Sequence, residues 1–123
     1  MKNLFQSSDA VWAFPDPLLL NTVIIKEILR MQHDYHRPVI GAAFPFAKYG
    51  ALCAIHYSPE MLLQETAAAV VTFSRTGALP ASGSFSASSS MVSVNQNMAE
   101  YFYFSVPDPL KGMVEMISPE LEN

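Results

Sequence analysis

Four short apolar segments stand out in the pattern of hydrophobic and polar positions along this chain. They cover residues 9–15, 38–44, 50–57 and 91–95. Each is too short for a core helix and is nearly continuous in aliphatic, small and aromatic residues, which is typical of strands that are buried on both faces. The pattern therefore predicts four strands in one sheet that is covered on both sides.

Longer segments with helical periodicity separate the predicted strands. From about residue 18 to residue 36, Ile24, Ile28, Met31 and Tyr35 share one apolar stripe. Pro38 follows directly, and a proline disfavours helical geometry in the residue before it. We therefore predict a helix over residues 18–36.

The second helix has the clearest start and end in the sequence. Ser58 can cap the first turn, Pro59 suits the first helical position, and Gly77 fits a left-handed end. Residues 97–104 and 109–117 also read as helical, the latter as a short final helix. Residues 45–50 and 78–89 read as loops, because prolines, glycines and small residues punctuate them.

This order of elements, β-α-β-β-α-β-α, predicts the α/β class: a mostly parallel sheet flanked by helices. No internal repeat or long linker divides the sequence, so we expect one domain over residues 1–123. We expect residues 1–7 and 118–123 to be loose ends.

Composition narrows the function classes. Half of the residues are hydrophobic, only 15% are charged, the net charge is −4, and Lys and Arg form no run. The chain therefore lacks the basic surface with which proteins bind nucleic acid without sequence preference. The low charge favours a face that a partner covers. No stretch approaches the roughly 20 apolar residues of a membrane span.

The single cysteine, Cys53, cannot form an internal disulfide. It lies within an apolar segment, so we expect its thiol to be buried and inert.

No candidate catalytic or metal site emerges. His33 and His36 have a spacing that suits two ligands on one helix face, but a third ligand is not evident, and we assign them to helix-end electrostatics. The serine-rich segment 82–90 lacks a recognisable base and a Gly-x-Ser-x-Gly turn, and we interpret it as a polar loop. Glycine-rich phosphate motifs and paired buried carboxylates are also absent from the sequence. We expect no catalysis and no cofactor.

Ligands of open parallel sheets bind outside the carboxyl ends of the strands. The first two predicted strands are followed there by six candidate residues: Asp16, Pro17, Ala42, Ala43, Phe44 and Phe46. Asp16 stands between two prolines, so its carboxylate projects from a stiff segment. Two alternatives remain at this stage: Asp16 only caps the following helix, and the aromatic residues belong to the core or to an interface.

Three segments taken together carry a resemblance to a known family. They are Asp-Ala-Val-Trp-Ala-Phe-Pro-Asp-Pro at 9–17, Arg-Pro-Val-Ile-Gly at 37–41 and Gly-Ala-Leu-Cys-Ala-Ile at 50–55. Gln-Glu-Thr-Ala-Ala at 64–68, Leu-Pro at 79–80, Val-Asn at 94–95 and Val-Pro at 106–107 continue it. In this order they resemble the C-terminal lobe of ABC-transporter substrate-binding proteins of the tryptophan and tyrosine type, over about residues 8–117.

The resemblance implies a periplasmic-binding-protein-like lobe that closes with a second lobe on a small solute and delivers it to an ABC permease. It also implies that Asp16, Pro17, Ala42, Ala43 and Phe44 border the cleft. Amino-acid binders carry polar groups near these loops, whereas this chain has Ala, Ala and Phe, which favours a less polar solute or a lost ligand.

Whole family members are more than twice as long and begin with an export signal. The resemblance therefore implies a periplasmic or extracellular location, whereas this sequence, which shows no signal peptide, would be cytoplasmic if it were the full gene product. A sheet that starts midway exposes an edge and an apolar face. The alternative function is thus a ligand-free interaction module that forms homo-oligomers or docks on a second subunit through that face.

Overall fold

A computed structural model describes residues 1–78 and 90–118 of the chain. The α-helices are α1 (Lys2–Ser7), α2 (Thr22–Tyr35), α3 (Phe44–Tyr49), α4 (Pro59–Thr76) and α5 (Gln96–Tyr101), and Asp108–Met113 is a 3₁₀ helix. The strands are β1 (Val11–Ala13), β2 (Val39–Gly41), β3 (Cys53–His56), β4 (Met91–Asn95) and β5 (Val114–Ile117). The predicted α/β class is confirmed.

The five strands form one sheet in the order β1-β2-β3-β4-β5. Strands β1, β2 and β3 are parallel to one another, β4 is antiparallel to β3, and β5 is parallel to β4. The sheet is therefore mostly parallel, as predicted. Because β1, β2 and β3 run in the same direction, their carboxyl ends meet at one edge of the sheet.

Helices cover both faces of the sheet. One core cluster joins buried residues of α1, α2 and α3 to the strands and includes Phe5, Ile25, Phe46 and Ala54. A second cluster joins α5 to β4 and includes Val94 and Met98, with Cys53 packed against it. Successive residues of a strand point to opposite faces. Cys53 and Ala54 of β3 belong to different clusters, so the clusters lie on opposite sides of the sheet.

Four segments differ from the sequence prediction. Residues 45–49, expected in a loop, and Phe44, expected at the end of the second strand, form α3. Residues 114–117, expected at the end of a final helix, form β5, which pairs with β4 through Val92 and Val114. Residues 2–7, expected to be loose, form α1, because Phe5 is an apolar anchor that is only 1% exposed. The helix expected from residue 18 begins at Thr22, where Asn21 accepts a hydrogen bond from the Val23 N–H.

The end of α3 explains how a six-residue helix forms in a segment that lacks visible periodicity. Gly50 adopts φ +118°, a left-handed conformation that glycine tolerates best, and its N–H bonds the carbonyls of Phe46 and Ala47. Pro45 lies in the first turn, where its missing N–H costs nothing. Phe46 is fully buried, and its side chain approaches Gly41 so closely that a Cβ at position 41 would overlap the Phe46 Cβ.

Two fully buried polar side chains connect the elements around α3. The Gln32 amide donates to the Gly50 carbonyl at 2.8 Å and accepts from the Val39 N–H at 2.8 Å. The Asn95 amide donates to the Ala47 carbonyl at 2.9 Å and accepts from the Met98 N–H at 3.1 Å, which also caps α5. Each side-chain amide thus forms hydrogen bonds through both its NH₂ group and its carbonyl oxygen, as burial of a polar group requires.

The chain divides into two compact units. The first comprises residues 1–56 and 91–123, and the second comprises residues 57–90. Within the second unit, α4 has the predicted bounds: Ser58 accepts a hydrogen bond from the Met61 N–H at its start, and Gly77, at φ +63°, ends it. Across residues 1–78 and 90–118, no helix is both long and apolar enough to cross a membrane.

Candidate functional site

The candidate residues from the first two strands leave the sheet side by side. The register pairs Ala13 of β1 with Gly41 of β2 and Gly41 with Ala54 of β3. Phe14 and Ala42 therefore start their loops next to each other, at the carboxyl edge on which the sequence analysis placed a binding site. Phe14 is 62% exposed.

Asp16 organises the loop after β1. Its carboxylate Oδ1 accepts a hydrogen bond from the Leu18 N–H at 2.8 Å, and its carbonyl accepts from the N–H groups of Leu19 and Leu20. Asp16 therefore caps the turn that begins at Pro17, whereas Asn21 caps α2 itself. Both Asp16 and Pro17 are exposed. The alternative that Asp16 caps the following helix therefore does not hold: Asp16 caps the turn that precedes the helix.

The loop after β2 consists of Ala42 and Ala43, and α3 follows at once. Ala43 is the residue before the first helical turn and makes no side-chain cap. Phe44, the first helical residue, is 41% exposed. Phe46 does not share this position: it is 0% exposed and lies in the core. For Phe46 the structure thus agrees with the alternative that the aromatic residues belong to the core, because the helical turn of α3 directs its ring inward.

His56, the last residue of β3, is a member of this edge that the sequence analysis did not select. Its ring contacts Phe44 in a T-shaped arrangement with centroids 5.3 Å apart. Its Nε2 lies 2.8 Å from the Ser93 Oγ, and that hydroxyl lies 3.5 Å from a carboxylate oxygen of Glu115. The rule that selected Ala42–Phe44, the carboxyl end of a parallel strand, also points to His56 once β3 is accepted as the third such strand.

The pair of Ser93 and His56 has the distance of a nucleophile and its base, but the environment does not suit catalysis. Ser93 is fully buried in the middle of β4, so a substrate has no access to its hydroxyl. The carboxylate of Glu115 bonds to the serine, whereas an acid that assists such a base bonds to the histidine. These side chains therefore form a structural polar chain across β3, β4 and β5.

His33 and His36 lie at the end of α2 and pack on the ring of Tyr101 in α5, with centroid distances of 5.2 and 5.0 Å. His36 ends the helix at φ +50°, and its Nδ1 lies 3.1 Å from the Tyr101 hydroxyl. Within the described parts of the chain, no three His, Cys, Asp or Glu side chains converge as a metal site would require. The two histidines thus join α2 to α5.

Two other predictions concern reactive side chains. Cys53 is partly buried, and burial raises the pKa of its thiol, which keeps the thiol in its less reactive protonated form at neutral pH. The serine-rich segment lies outside the described residues except for Ser90.

Comparison with known proteins gives a fold-level result. No family model and no curated protein matches the chain. Among solved structures, a substrate-binding protein with adhesive properties from Clostridium difficile, in its ligand-free, open form, matches 96% of this chain with a TM-score of 0.72 and 16% identity. The ABC domain from Streptococcus pneumoniae, in complex with L-Trp, matches 94% with a TM-score of 0.65 and 18% identity.

A conserved domain protein from Vibrio cholerae also matches 94% of the chain, with a TM-score of 0.65 and 19% identity. The matched region is 38–40% of the length of these three proteins, so this chain spans about two fifths of each. At such identities the comparison shows the fold alone. The chain thus shares its α/β fold with part of each of these proteins, one of which is a substrate-binding protein.

Proposed function

We propose that this chain is a non-catalytic solute-binding lobe that contacts a small organic solute at the carboxyl edge of β1, β2 and β3. The observation that carries the proposal is the convergence of three parallel strand ends at an edge where Phe44 remains 41% exposed. Solute sites of open α/β sheets lie at such edges. The fold-level similarity to substrate-binding proteins supports the same conclusion.

The residues at this edge favour a solute with an apolar, flat body. Ala42, Ala43 and Phe44 offer no charged group, and Asp16 supplies the one carboxylate of the predicted set. An amino acid with an aromatic side chain fits this combination, because Asp16 can attract its ammonium group while Phe44 contacts its ring. L-tryptophan, the ligand of a structural neighbour, is the first solute to try.

The resemblance to the tryptophan- and tyrosine-type receptors, together with these contacts, extends the proposal to the biological setting. The chain would act as the C-terminal lobe of a periplasmic or extracellular receptor. A second lobe would close the site from the other side, and an ABC permease would receive the solute.

Native mass spectrometry tests the proposal. The protein is sprayed alone and with L-tryptophan, L-tyrosine, L-leucine and L-glutamate in turn, over a range of concentrations. We expect a saturable one-to-one adduct with an aromatic amino acid and none with L-glutamate. Absence of any saturable adduct would contradict the proposal.

The variant Asp16→Asn separates the charge of Asp16 from its structural role. Asparagine still accepts the hydrogen bond from the Leu18 N–H, so the turn is retained, but the attraction for an ammonium group is lost. We expect Asp16→Asn to weaken the adduct, while Asp9→Asn, which changes an exposed carboxylate before β1, leaves it unchanged. Equal effects of the two variants would remove Asp16 from the site.

The second candidate function is the interaction module, and an exposed aromatic pair at the end of β1 favours it. Trp12 and Phe14 stack with centroids 5.1 Å apart and are 54% and 62% exposed, although β1 was expected to be buried on both faces. Strand β1 is also the outermost strand of the sheet, with β2 as its only neighbour among the described strands. Sedimentation velocity with the wild type and with Trp12→Ser tests it: a concentration-dependent dimer that this variant abolishes supports the module, and a monomer in both samples rejects it.

A further inference from the structure

A chain of side-chain contacts runs across the sheet to the exposed ring of Phe44. Ser93 of β4 lies opposite Ala54 of β3 and beside Glu115 of β5. From this position its hydroxyl reaches the Glu115 carboxylate at 3.5 Å and His56, two residues after Ala54, at 2.8 Å. Because Ser93 is fully buried within a strand, its hydroxyl is a fixed anchor for the imidazole.

The anchored imidazole in turn holds Phe44. The two rings meet at 66° with centroids 5.3 Å apart, an edge-to-face geometry that aromatic pairs prefer. Phe44 needs such a support, because it is the first residue of α3, follows two alanines and is 41% exposed. A side chain in that position would otherwise sample several rotamers, and a ligand would have to order it on binding.

We propose that His56 is a positioning residue of the solute site, which holds the ring of Phe44 as a preorganised platform for a flat ring of the solute. This inference rests on the proposed function and adds to it the residue that keeps Phe44 in place for an aromatic ring of the solute. Removing the support adds the ordering of one side chain to the cost of binding. We therefore expect loss of the His56 ring to raise the Kd of an aromatic solute by about 2- to 10-fold.

The first arm of the test needs no ligand. ¹³C relaxation of phenylalanine rings in the free protein, with Phe44 assigned through Phe44→Leu, reports how ordered that ring is. We expect the Phe44 ring to be ordered in the wild type and mobile in His56→Gln, which retains a polar partner for Ser93 but lacks the ring. The matched control His33→Gln removes an exposed histidine from α2 and leaves Phe44 ordered. An equally ordered Phe44 ring in His56→Gln would overturn the inference.

The second arm measures binding by calorimetry with L-phenylalanine and with β-cyclohexyl-L-alanine, which has a saturated ring of similar size. We expect the wild type to prefer the aromatic compound, His56→Gln to lose that preference, and His56→Phe, which restores a supporting ring, to recover it. A merely structural defect would weaken both compounds equally, and that result would contradict the inference. If no variant binds either compound and no other amino acid forms an adduct, the proposed function fails and the inference fails with it. If the wild type binds the aromatic compound and His56→Gln keeps the same preference, only the inference fails.

Discussion

Gln32 offers the most stringent test of how the scaffold holds the candidate site. Its side chain is 0% exposed and makes two hydrogen bonds of 2.8 Å, one from its amide nitrogen to the Gly50 carbonyl and one to its amide oxygen from the Val39 N–H. It thus connects α2 with the start of β2 and with the turn that ends α3. The variant Gln32→Met keeps the length of the side chain and removes both hydrogen-bonding groups.

The expected loss of stability follows from the two backbone groups that the variant leaves without their partner. A buried donor or acceptor without a partner costs about 1–3 kcal/mol. The Val39 N–H is buried, so this cost applies to it in full, whereas Gly50 is only half-buried and its carbonyl costs less. We therefore expect the free energy of unfolding to fall by about 1–4 kcal/mol, against the 5–15 kcal/mol that is typical of a domain. With a urea dependence of about 1–3 kcal/mol per molar, the midpoint falls by roughly 1 M.

Urea denaturation followed by far-UV circular dichroism measures this change. The matched control is Gln64→Met, because Gln64 is exposed on α4 and the same substitution there removes no buried contact. We expect the control to remain within about 0.5 kcal/mol of the wild type. Equal midpoints for Gln32→Met and Gln64→Met would refute the assignment of Gln32 as the connection between these elements.

Three further predictions address other residues. Gly41→Ala should destabilise the protein by about 1–3 kcal/mol in the same urea assay, because the new methyl group meets the buried ring of Phe46. The matched control is Gly112→Ala, whose methyl group meets nothing within 4 Å. Equal effects of the two variants would argue against the close approach of Gly41 and Phe46. Burial raises the pKa of the Cys53 thiol, so iodoacetamide at pH 8 should alkylate it more slowly in the folded protein than in urea, and equal rates would contradict this. The hydrogen bond from Arg30 holds the pKa of Glu27 below its usual value. The pair therefore stabilises the fold at pH values above the pKa that Glu27 has in the unfolded chain, and this contribution is lost as the pH falls through its lower pKa in the folded protein. NMR titration should show a higher Glu27 pKa in Arg30→Gln, and an unchanged pKa would reject the pairing.

The sequence predicted best the elements whose ends are marked by specific residues. The bounds of α4 follow from Ser58, Pro59 and Gly77, and those of β4 coincide with the apolar run 91–95. It failed for α3, because six residues are too few to show a helical period and because Pro45 reads equally well as a loop residue. The pairing of β5 with β4 was also not predictable, since strand pairing depends on distant parts of the chain that local patterns do not report.

The same limits explain which part of the candidate site the sequence captured. The carboxyl-end rule placed Asp16 and Phe44 at one edge, where the structure has them. The rule also selected Phe46, which lies in the core instead. Successive helical residues are about 100° apart, so the side chain two residues after Phe44 points to the opposite side of α3. His56 was not selected, because its contact with Phe44 depends on the loop after β2 being a helix, and its bond to Ser93 depends on the antiparallel pairing of β3 with β4.

Chemical-shift mapping of the ¹⁵N-labelled protein during titration with L-tryptophan tests the central claim most directly. If the carboxyl edge of the parallel strands is a solute site, the amide signals of Phe14, Ala42, Ala43 and Phe44 shift in a saturable way, while those near His36 and Tyr101, which lie at the opposite ends of the strands, stay in place. Shifts that concentrate around His36 and Tyr101, or the lack of saturable shifts with any amino acid, would contradict the claim.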